Sequence, residues 1–492
     1  MIQGNRLQRR VCVPDHCRTL GSRPLARQIG RRDLIPMAAL VENDAWRGQD
    51  LVVHNGLILQ PDGRLLRGGL VIRDGRIQAV GADVMADPEM PCLDAGGLHV
   101  LPGVVDPQVH FRDPGLIHKE DLITASRACL RGGVTSFLEM PNTHPPTIDG
   151  PSLNAKLERA ADVSRVHYGF FLGACGDGAN LPVLEQDDQG PLARACGIKM
   201  FMGTGHGVLE CSDPAVQEAV FARGGKLVAV HAEDQQRIRQ RREQLLTTDP
   251  PPANLHSIIQ DPEAALLATR HALRLSRRFQ RRLHVLHLST GVEAELLRRE
   301  KTALVSTEVT PQHLLLNRSA YARLGALAQM NPPLRDEEDN RVLWKALVDG
   351  VIDCIATDHA PHTLEEKARP YPRCPSGMPG VETSLPLMLT QARAGRCSLA
   401  DVSRWMSRSP AELYGLEGKG RLAVGYHGDL TVVDLHTTRP VRNGEMVSKC
   451  GWSPFDGWEL AGWPVATVVA GVVGYAQGVF HEGCRGSALR FS

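Results

Sequence analysis

The chain has 492 residues, of which 42% are hydrophobic and 23% charged, a globular composition that suits one large domain with an accessory domain, or two or three ordinary ones. Its 56 lysines and arginines balance 55 aspartates and glutamates, which argues against a nucleic-acid partner or an acidic membrane surface. The twelve cysteines include no CxxC pair, so we expect reduced, buried thiols and a cytoplasmic location.

The first 36 residues differ from the rest because they hold eight arginines, no lysine, and only Asp15 and Asp33 as acids. They contain no apolar h-region, which argues against a secretory signal. A transit-like or disordered tail fits this composition. We favour a start-site artefact, with Met37 as the true start, because apolar patterning begins only near Leu51.

Short β-like runs separated by glycine turns begin at Leu51 and return after about Gly418. The most apolar late stretch, Trp463 to Phe480, is broken by Pro464 and three glycines and is rich in β-branched residues. This pattern predicts strands rather than a membrane span. Both ends of the chain are therefore expected to meet in one small β-sandwich.

Between these ends, eight apolar runs that finish in polar residues alternate with longer helical patterns. The runs cover residues 99–110, 134–142, 166–174, 196–203, 226–234, 283–290, 302–311 and 351–362. This spacing is typical of a (β/α)8 TIM barrel. A helix is predicted over residues 261–278, because Asp261-Pro262-Glu263 is a helix start signal.

We therefore predict an α/β protein in which a (β/α)8 barrel is inserted in a β-sandwich formed by both chain ends. The predicted segments are 1–36, a basic tail outside the fold; 37–100, the first part of the sandwich; 101–415, the metal-dependent barrel; and 416–492, the second part of the sandwich.

The first barrel strand ends in VDPQVHFRDPG, residues 105–115. Polar residues occupy every second position, at Asp106, Gln108, His110 and Arg112, and side chains two apart on a strand share a face. A metal site would favour histidine at both middle positions, yet the first is glutamine. Taken alone, the stretch leaves open a metal centre with a missing ligand, one that works another way, or none.

The other runs also end in polar residues, and barrel enzymes place their chemistry at the carboxyl ends of the strands. Alone, His231 is more often structural than a ligand, and Asp358 could be a helix cap. Lys199, in the apolar run IKMFM, needs a partner, a shifted pKa or a covalent modification, because burying an unpaired ammonium is costly. Together the strand ends indicate a zinc-type site. They carry His110, Arg112, Asn142, Lys199, His231, His287, Asp358, His359 and His362.

As a set, these motifs resemble the metal-dependent amidohydrolases and, within them, the class I dihydroorotases. The matching motifs are DPQVHFRDPG, GGVTSFLEMPNT, GIKMFMG, VHAED, LHVLHLST, EVTPQHLLL, NPPLR, IATDHAPH, SGMPGVETSLPLML, SKCGWSPFDG and GWPVATVVAG. The resemblance covers nearly everything from Leu51 onward, but not the tail before Met37.

The resemblance implies metal-binding roles for five residues. His110 resembles the second histidine of an HxH metal motif, and Lys199 a lysine that some members carboxylate to a bridging carbamate. His231 and His287 match the histidines of the more exposed metal position. Asp358 matches an aspartate that both binds metal and shuttles the proton.

The resemblance also implies contacts with the free carboxylate and the ring of the substrate. The matching residues are Arg112, Asn142, Asn331, His362, Ser376 and Gly377. The Pro- and Gly-rich loop of residues 362–380 is expected to act as a lid near the substrate.

The implied activity is that of a dihydroorotase, the reversible zinc-dependent hydrolysis and cyclisation between dihydroorotate and N-carbamoyl-L-aspartate in de novo pyrimidine biosynthesis. Arg112 can pair with the substrate carboxylate in bidentate fashion, helped by Asn142, which argues against neutral substrates. Two alternatives stay open: another cyclic amidohydrolase of the allantoinase or hydantoinase type, and a catalytically silent partner of aspartate carbamoyltransferase. The silent-partner alternative is based on Gln108, which stands where a metal site would favour histidine.

Gln108 weakens one half of the expected metal centre, because a carboxamide oxygen is a poorer zinc ligand than imidazole. We predict one well-held zinc at Lys199, His231 and His287, with N6-carboxylation of Lys199 as a candidate modification, and a second metal that is weakly held or absent. We also expect a homo-oligomer that acts on a small-molecule substrate and associates with aspartate carbamoyltransferase, without nucleic-acid or membrane partners.

Overall fold

The computed structural model describes residues 48–87, 89–186, 190–204, 207–247 and 251–492. The basic tail of residues 1–36 and the predicted start at Met37 lie outside the described residues.

Strands occur toward both ends of the described chain, and further strands alternate with helices between them. They are β1 (Leu51–Leu59), β2 (Leu65–Arg73), β3 (Arg76–Gly81), β4 (Cys92–Asp94), β5 (His99–Pro102), β6 (Val104–Val109), β7 (Val134–Glu139), β8 (His167–Phe170), β9 (Leu172–Gly173), β10 (Ile198–Phe201), β11 (Val228–His231), β12 (Leu283–Val285), β13 (Val305–Val309), β14 (Cys354–Ile355), β15 (Leu430–Pro440), β16 (Glu459–Val469), β17 (Val472–Ala476) and β18 (Val479–Phe480).

A nine-stranded sheet takes its strands from both ends of the described chain. Its order is β18-β17-β16-β15-β5-β1-β2-β3, and β4 pairs in parallel with β1. β5 and β15 join the two halves as antiparallel neighbours, with Val100 opposite Val432. The late apolar stretch forms β16 to β18 of this sheet. Among the described residues, no helix combines the length and the apolarity that crossing a membrane requires.

The barrel strands run parallel in two hydrogen-bonded groups, β6-β7-β8 and β9 through β14. β8 and β9 together form the third barrel strand, or stave, and are separated only by Phe171. The first and last staves meet where the backbone N–H of His110 donates to the carbonyl of His359 at 2.8 Å. The eight runs therefore form eight staves, and the predicted α/β fold class, a barrel with a β structure built from both ends, is confirmed.

Helices lie between the barrel strands and after them. They are α1 (Leu122–Arg131), α2 (Gly150–Val163), α3 (Leu181–Leu184), α4 (Pro191–Arg194), α5 (Pro214–Ala222), α6 (Gln235–Leu245), α7 (Leu255–Ile259), α8 (Pro262–Phe279), α9 (Gly291–Glu300), α10 (Pro311–Leu315), α11 (Ala320–Leu324), α12 (Glu337–Val348), α13 (Leu364–Lys367), α14 (Ser384–Arg393), α15 (Leu399–Ser403) and α16 (Ser409–Leu413). The start signal at α8 works as predicted, because the Asp261 carboxylate accepts the N–H of Ala264.

The chain passes from the nine-stranded sheet into the barrel at Gly103, between β5 and β6. A side chain at this position would overlap Thr135 of the neighbouring strand, so only glycine allows the close approach. Apolar side chains of the barrel strands and the surrounding helices pack into one large core, and a smaller cluster that includes Val105, Leu138 and Ala229 is separate from it. The ten cysteines in the described part of the chain are free thiols, and eight of them are buried.

Candidate active site

A cavity of about 410 Å³ opens at the carboxyl ends of the barrel strands. Every residue that was assigned a metal or substrate role from the sequence lines it, and so does Gln108. These residues are His110, Arg112, Asn142, Lys199, His231, His287, Asn331, Asp358, His362, Ser376 and Gly377. The fold therefore brings together side chains from strand ends that are far apart in sequence.

His231 and His287 point ring nitrogens at each other, with Nδ1 of His231 and Nε2 of His287 3.0 Å apart. The other nitrogen of His231, Nε2, lies 2.8 Å from a carboxylate oxygen of Glu233. A carboxylate only accepts, so Nε2 carries the hydrogen and the Nδ1 lone pair faces His287. Burial, with His231 and Lys199 close by, holds the pKa of His287 well below its usual range. Both rings therefore suit a metal, which binds neutral imidazole.

Lys199 is completely buried, and its Nζ has no hydrogen-bond partner among the described residues. The ammonium lies 4.4 Å from the ring centre of Phe201. Burial lowers the pKa of Lys199 to about 7, although the charges of Asp358 and Glu308 act in the opposite direction. A large fraction of the amine is therefore neutral near pH 7, which is the form that adds to carbon dioxide. This orphaned amine is chemically suited to carboxylation, which would turn it into an anionic metal ligand.

Two side chains from the end of β6, the first barrel strand, contact Asp358. Its Oδ1 accepts a hydrogen bond from the Gln108 amide at 3.1 Å and lies 3.1 Å from Nε2 of His110. The other ring nitrogen of His110 lies 2.6 Å from Oδ1 of Asn142. The carbonyl oxygen of Gln108 is buried and has no partner among the described residues. Oδ2 of Asp358 takes none of the hydrogen bonds from described donors, which leaves this oxygen available for proton transfer.

Arg112 is a buried guanidinium that faces the cavity. It is 6% exposed, and its Nε makes a 3.3 Å hydrogen bond to the carbonyl of Pro361. Its Nη2 lies 3.3 Å from Nε2 of His362, and none of the described carboxylates forms an ion pair with it. Burial lowers the pKa of Arg112 to about 10, so the group stays charged at neutral pH. A buried cation without a counter-ion that lines a cavity is suited to an anionic ligand.

Glu233 and Gln260 are site residues to which sequence reasoning assigned no role. Oriented with its nitrogen toward the acceptors, the Gln260 amide donates to both oxygens of Glu233 at 3.2 Å and to Oδ1 of Asn331 at 3.1 Å. Glu233 also accepts from His231, so one chain of hydrogen bonds joins His231 to Asn331. The only sequence signal was the acid of VHAED, two residues beyond His231.

The loop between His362 and Gly380 forms one wall of the cavity through residues 371–377. The Lys367 ammonium lies beneath it and donates to three carbonyl oxygens, those of Gln329 at 2.9 Å, Pro375 at 3.0 Å and Gly377 at 3.2 Å. Through these hydrogen bonds, Lys367 links the loop to the segment that contains Gln329.

Two further histidines of the strand region lie outside the cavity lining. His359 turns away from the cavity and accepts a backbone N–H at 3.1 Å through Nδ1. His284 forms a buried group with Glu308 and Cys354, whose donor atoms lie within 4.8 Å of one another. Both nitrogens of His284 are engaged, by Ser306 at 2.8 Å and Glu308 at 3.0 Å, so this group is chemically capable of holding a metal but already satisfied by hydrogen bonds.

Comparison with protein families agrees with this architecture. The profile described as the amidohydrolase family matches residues 99–474. The dihydroorotase of Methanosarcina mazei is 37% identical over 400 residues, which are 79% of this chain and 86% of that protein. The dihydroorotase of Halobacterium salinarum is 35% identical over 80% of this chain and 90% of its own length, and that of Anoxybacillus flavithermus 33% identical over 86% and 97%.

Solved structures of a hydantoinase and a dihydropyrimidinase share the fold of this chain. The L-hydantoinase from Arthrobacter aurescens superposes with a TM-score of 0.84 at 30% identity, over 90% of this chain and 99% of that chain. The dihydropyrimidinase from Brevibacillus agri NCHU1002 gives 0.82 at 25% identity, over 90% and 99%. The similarity to both proteins extends over barrel and terminal strands alike.

Proposed function

This chain belongs to the amidohydrolase family, and we propose that it is a dihydroorotase, which interconverts dihydroorotate and N-carbamoyl-L-aspartate. Dihydroorotases that are 33–37% identical over most of the chain support this activity. So does the gathering of the expected metal and substrate residues around one cavity. The activity is that of a hydrolase acting on a cyclic amide.

The observation that carries the substrate assignment is Arg112. Dihydroorotate has a free carboxylate, whereas hydantoins and allantoin present neutral rings to this position. A buried guanidinium without a protein counter-ion would gain a bidentate partner from that carboxylate. Asn142 and His362 line the cavity beside it and supply further polar contacts. The site therefore favours an acidic ring over the neutral substrates of hydantoinases.

A zinc ion held by His231, His287 and carboxylated Lys199 would supply hydroxide at neutral pH and polarise the ring carbonyl. The chain's own contribution to proton transfer is Asp358. Gln108 and His110 hold Oδ1, while Oδ2 is left to take a proton and return it to the departing amide nitrogen. Ring closure uses the same group in reverse.

We assign one firmly held zinc to this chain and a second metal that is weak or absent. The Gln108 amide already donates to Asp358, the carboxylate that a second metal would need. Gln108→His should raise bound zinc from about one to about two ions per chain, because imidazole is the stronger ligand. Metal analysis of purified protein measures this, with the exposed Gln280→His as a control for an added histidine. Two tightly held zinc ions in the wild type would contradict the assignment.

Ring opening of dihydroorotate and the reverse cyclisation test the function, measured beside hydantoin and allantoin on one metal-analysed preparation. We expect turnover of dihydroorotate and little turnover of the neutral rings. Hydantoin turnover without dihydroorotate turnover would favour the hydantoinase alternative. No turnover and no bound metal would favour a silent partner of aspartate carbamoyltransferase.

The resemblance extends the proposal to the cellular setting of the enzyme. We place it in the cytoplasm, in de novo pyrimidine biosynthesis, as a homo-oligomer that associates with aspartate carbamoyltransferase. Light scattering of the chain alone, and then mixed with that transferase, measures both associations.

A further inference from the structure

Both ring nitrogens of His362 have polar neighbours, and the two neighbours of Nε2 are an acceptor and a donor. Its Nε2 lies 3.0 Å from the carbonyl oxygen of Ser376, which only accepts, and 3.3 Å from Nη2 of Arg112, which only donates. Burial, with Arg112 and Lys119 close by, holds the pKa of His362 well below its usual range, so the ring is neutral. A neutral ring carries one N–H, and therefore Nε2 can satisfy only one of these two neighbours.

Which of the two neighbours Nε2 satisfies depends on the other ring nitrogen, Nδ1. The Nζ of Lys119 lies 3.2 Å from it, and an ammonium only donates. Lys119 is held there by Glu366, whose carboxylate lies 3.2 Å from the same Nζ. Nδ1 therefore accepts, Nε2 carries the hydrogen, and that hydrogen goes to Ser376. The contact between His362 and Arg112 then brings two donors together.

We propose that Lys119 is a positioning residue that sets the tautomer of His362 and thereby keeps the Arg112 guanidinium free for the substrate's carboxylate. The role of Arg112 in this inference rests on the proposed dihydroorotase function. Lys119 is not among the residues that line the cavity, so it acts through His362 rather than on the substrate.

Removal of Lys119 should reverse the arrangement. Glu366 Oε2 lies 3.6 Å from Nδ1 and would attract the ring hydrogen once the ammonium is gone. Nε2 would then accept from Arg112, which ties up the guanidinium before substrate arrives. The substrate carboxylate would have to break that bond, which weakens binding more than it slows the chemical step.

The kinetic test compares Lys119→Met, Lys119→Arg and Lys449→Met with the wild type. Lys449 is a matched control, because it donates to the carbonyl of Ile117 in the same loop but has no contact with His362. We expect Lys119→Met to raise the KM for dihydroorotate and the Kd for orotate by roughly tenfold or more, with little change in kcat. Lys119→Arg should recover most of the loss, because a guanidinium also donates. Equal KM and Kd in Lys119→Met and the wild type would overturn the inference.

A second measurement needs no substrate and is made on the wild-type protein, with one variant used only to identify the signals. The ring ¹⁵N shifts of histidine-labelled wild-type protein report the tautomer, with the His362 signals identified by their loss in His362→Asn. We expect a protonated Nε2 and a bare Nδ1 in the wild type. A protonated Nδ1 there would overturn the inference whether or not the protein opens dihydroorotate. Inactive wild-type protein with the expected shifts would instead count against the proposed function and support the tautomer assignment.

Discussion

Three of the cavity residues that were assigned a metal or substrate role adopt backbone conformations that are rare for residues with a Cβ atom. Arg112, His287 and Asp358 have φ values of 66°, 35° and 47°. Such conformations cost of order 1–3 kcal/mol each and persist only where the surrounding structure enforces them. Each residue lies just beyond a barrel strand, so a sharp backbone turn there aims the side chain into the cavity. This strain is consistent with a site whose side chains are positioned before substrate binds.

Asp358→Asn should lower kcat by roughly 10²- to 10⁴-fold with a small change in KM. Asparagine keeps the size and the acceptor oxygen that Gln108 contacts, but it cannot take a proton. Steady-state kinetics with dihydroorotate measure the effect. Asp353→Asn is the matched control, because that carboxylate pairs with Lys301 outside the cavity and its loss should leave kcat unchanged. Activity of Asp358→Asn near the wild-type level would remove Asp358 as the proton shuttle.

Glu233→Ala should weaken zinc binding by roughly 10- to 100-fold. The carboxylate holds the Nε2 hydrogen of His231. Without it only the Thr204 hydroxyl, 2.7 Å from Nε2, is left, and a hydroxyl can donate as well as accept, so the tautomer is no longer fixed. Competition with a chromogenic chelator measures the zinc affinity directly, independent of turnover. Glu243→Ala, an exposed acid on α6, is expected to bind zinc like the wild type. Unchanged affinity in Glu233→Ala would mean that His231 is oriented by other contacts.

That these side chains would gather at one cavity could be predicted from the sequence, because a parallel barrel brings all its strand ends to one rim, whereas their roles stay predictions. The residues that orient these side chains could not be predicted from the sequence. Lys119 reaches His362 from a loop 243 positions away, and Gln260 reaches Glu233 from the turn before α8. Such pairings depend on how loops pack in three dimensions, and nothing in the local pattern of a buried glutamine or a loop lysine distinguishes them from ordinary polar residues.

At the scale of elements, a buried ion cluster fastens barrel strand β8 to the nine-stranded sheet. The Asp429 carboxylate, just before β15, lies 2.6 Å from Nζ of Lys419 and 3.2 Å from Nε2 of His167 on β8. It also accepts the N–H of Ala470 at 2.8 Å. Burial alone would raise the pKa of Asp429, but Lys419 and His167 outweigh burial and hold this pKa well below its usual range. The charged form is therefore part of the folded structure.

Asp429→Asn should destabilise the protein by roughly 3–5 kcal/mol at pH 7, because it leaves the buried Lys419 without its counter-ion. A carboxyl with a lowered folded pKa adds stability above its unfolded pKa of about 3.9, and this stability is lost as the pH falls toward the folded pKa. The gap between wild type and variant should therefore be full at pH 7 and shrink below about pH 4.

Urea unfolding followed by far-ultraviolet circular dichroism at pH 7, 5 and 3.5 measures this gap. Asp83→Asn, an exposed carboxyl beyond β3, controls for general loss of a negative charge and should change little at any pH. A gap that stayed constant down to pH 3.5 would show that Asp429 does not titrate in the way its surroundings imply.

At the scale of the whole molecule, the alternation of β-like runs and helical patterns was enough to predict eight staves and a β structure from both ends. The run at residues 99–110 was expected to be one barrel strand, yet it divides at Gly103 into β5 of the sheet and β6 of the barrel. Both pieces are fully buried, so their apolar patterns look alike in the two environments. The division follows from the close approach at Gly103, which only the packed structure shows.

Removal of the metal should lower the stability of the whole fold, because the proposed ligands come from the ends of three different staves. A ligand that binds only the folded state stabilises it by about 4 kcal/mol when its free concentration is 1,000 times Kd. For a chain of 492 residues, roughly 1 kcal/mol corresponds to about 1 °C in Tm. Chelation should therefore lower Tm by about 4 °C, and zinc, but not magnesium, should restore it.

Differential scanning fluorimetry with two variants shows which ligands hold the ion. His287→Asn should remove the response of Tm to zinc, because it deletes a nitrogen of the proposed site. Cys354→Ala should retain the response, because its thiol belongs to the buried group with His284 and Glu308, where both histidine nitrogens are already hydrogen-bonded. The reverse result, a response lost with Cys354 and retained without His287, would move the metal out of the cavity and into the barrel interior.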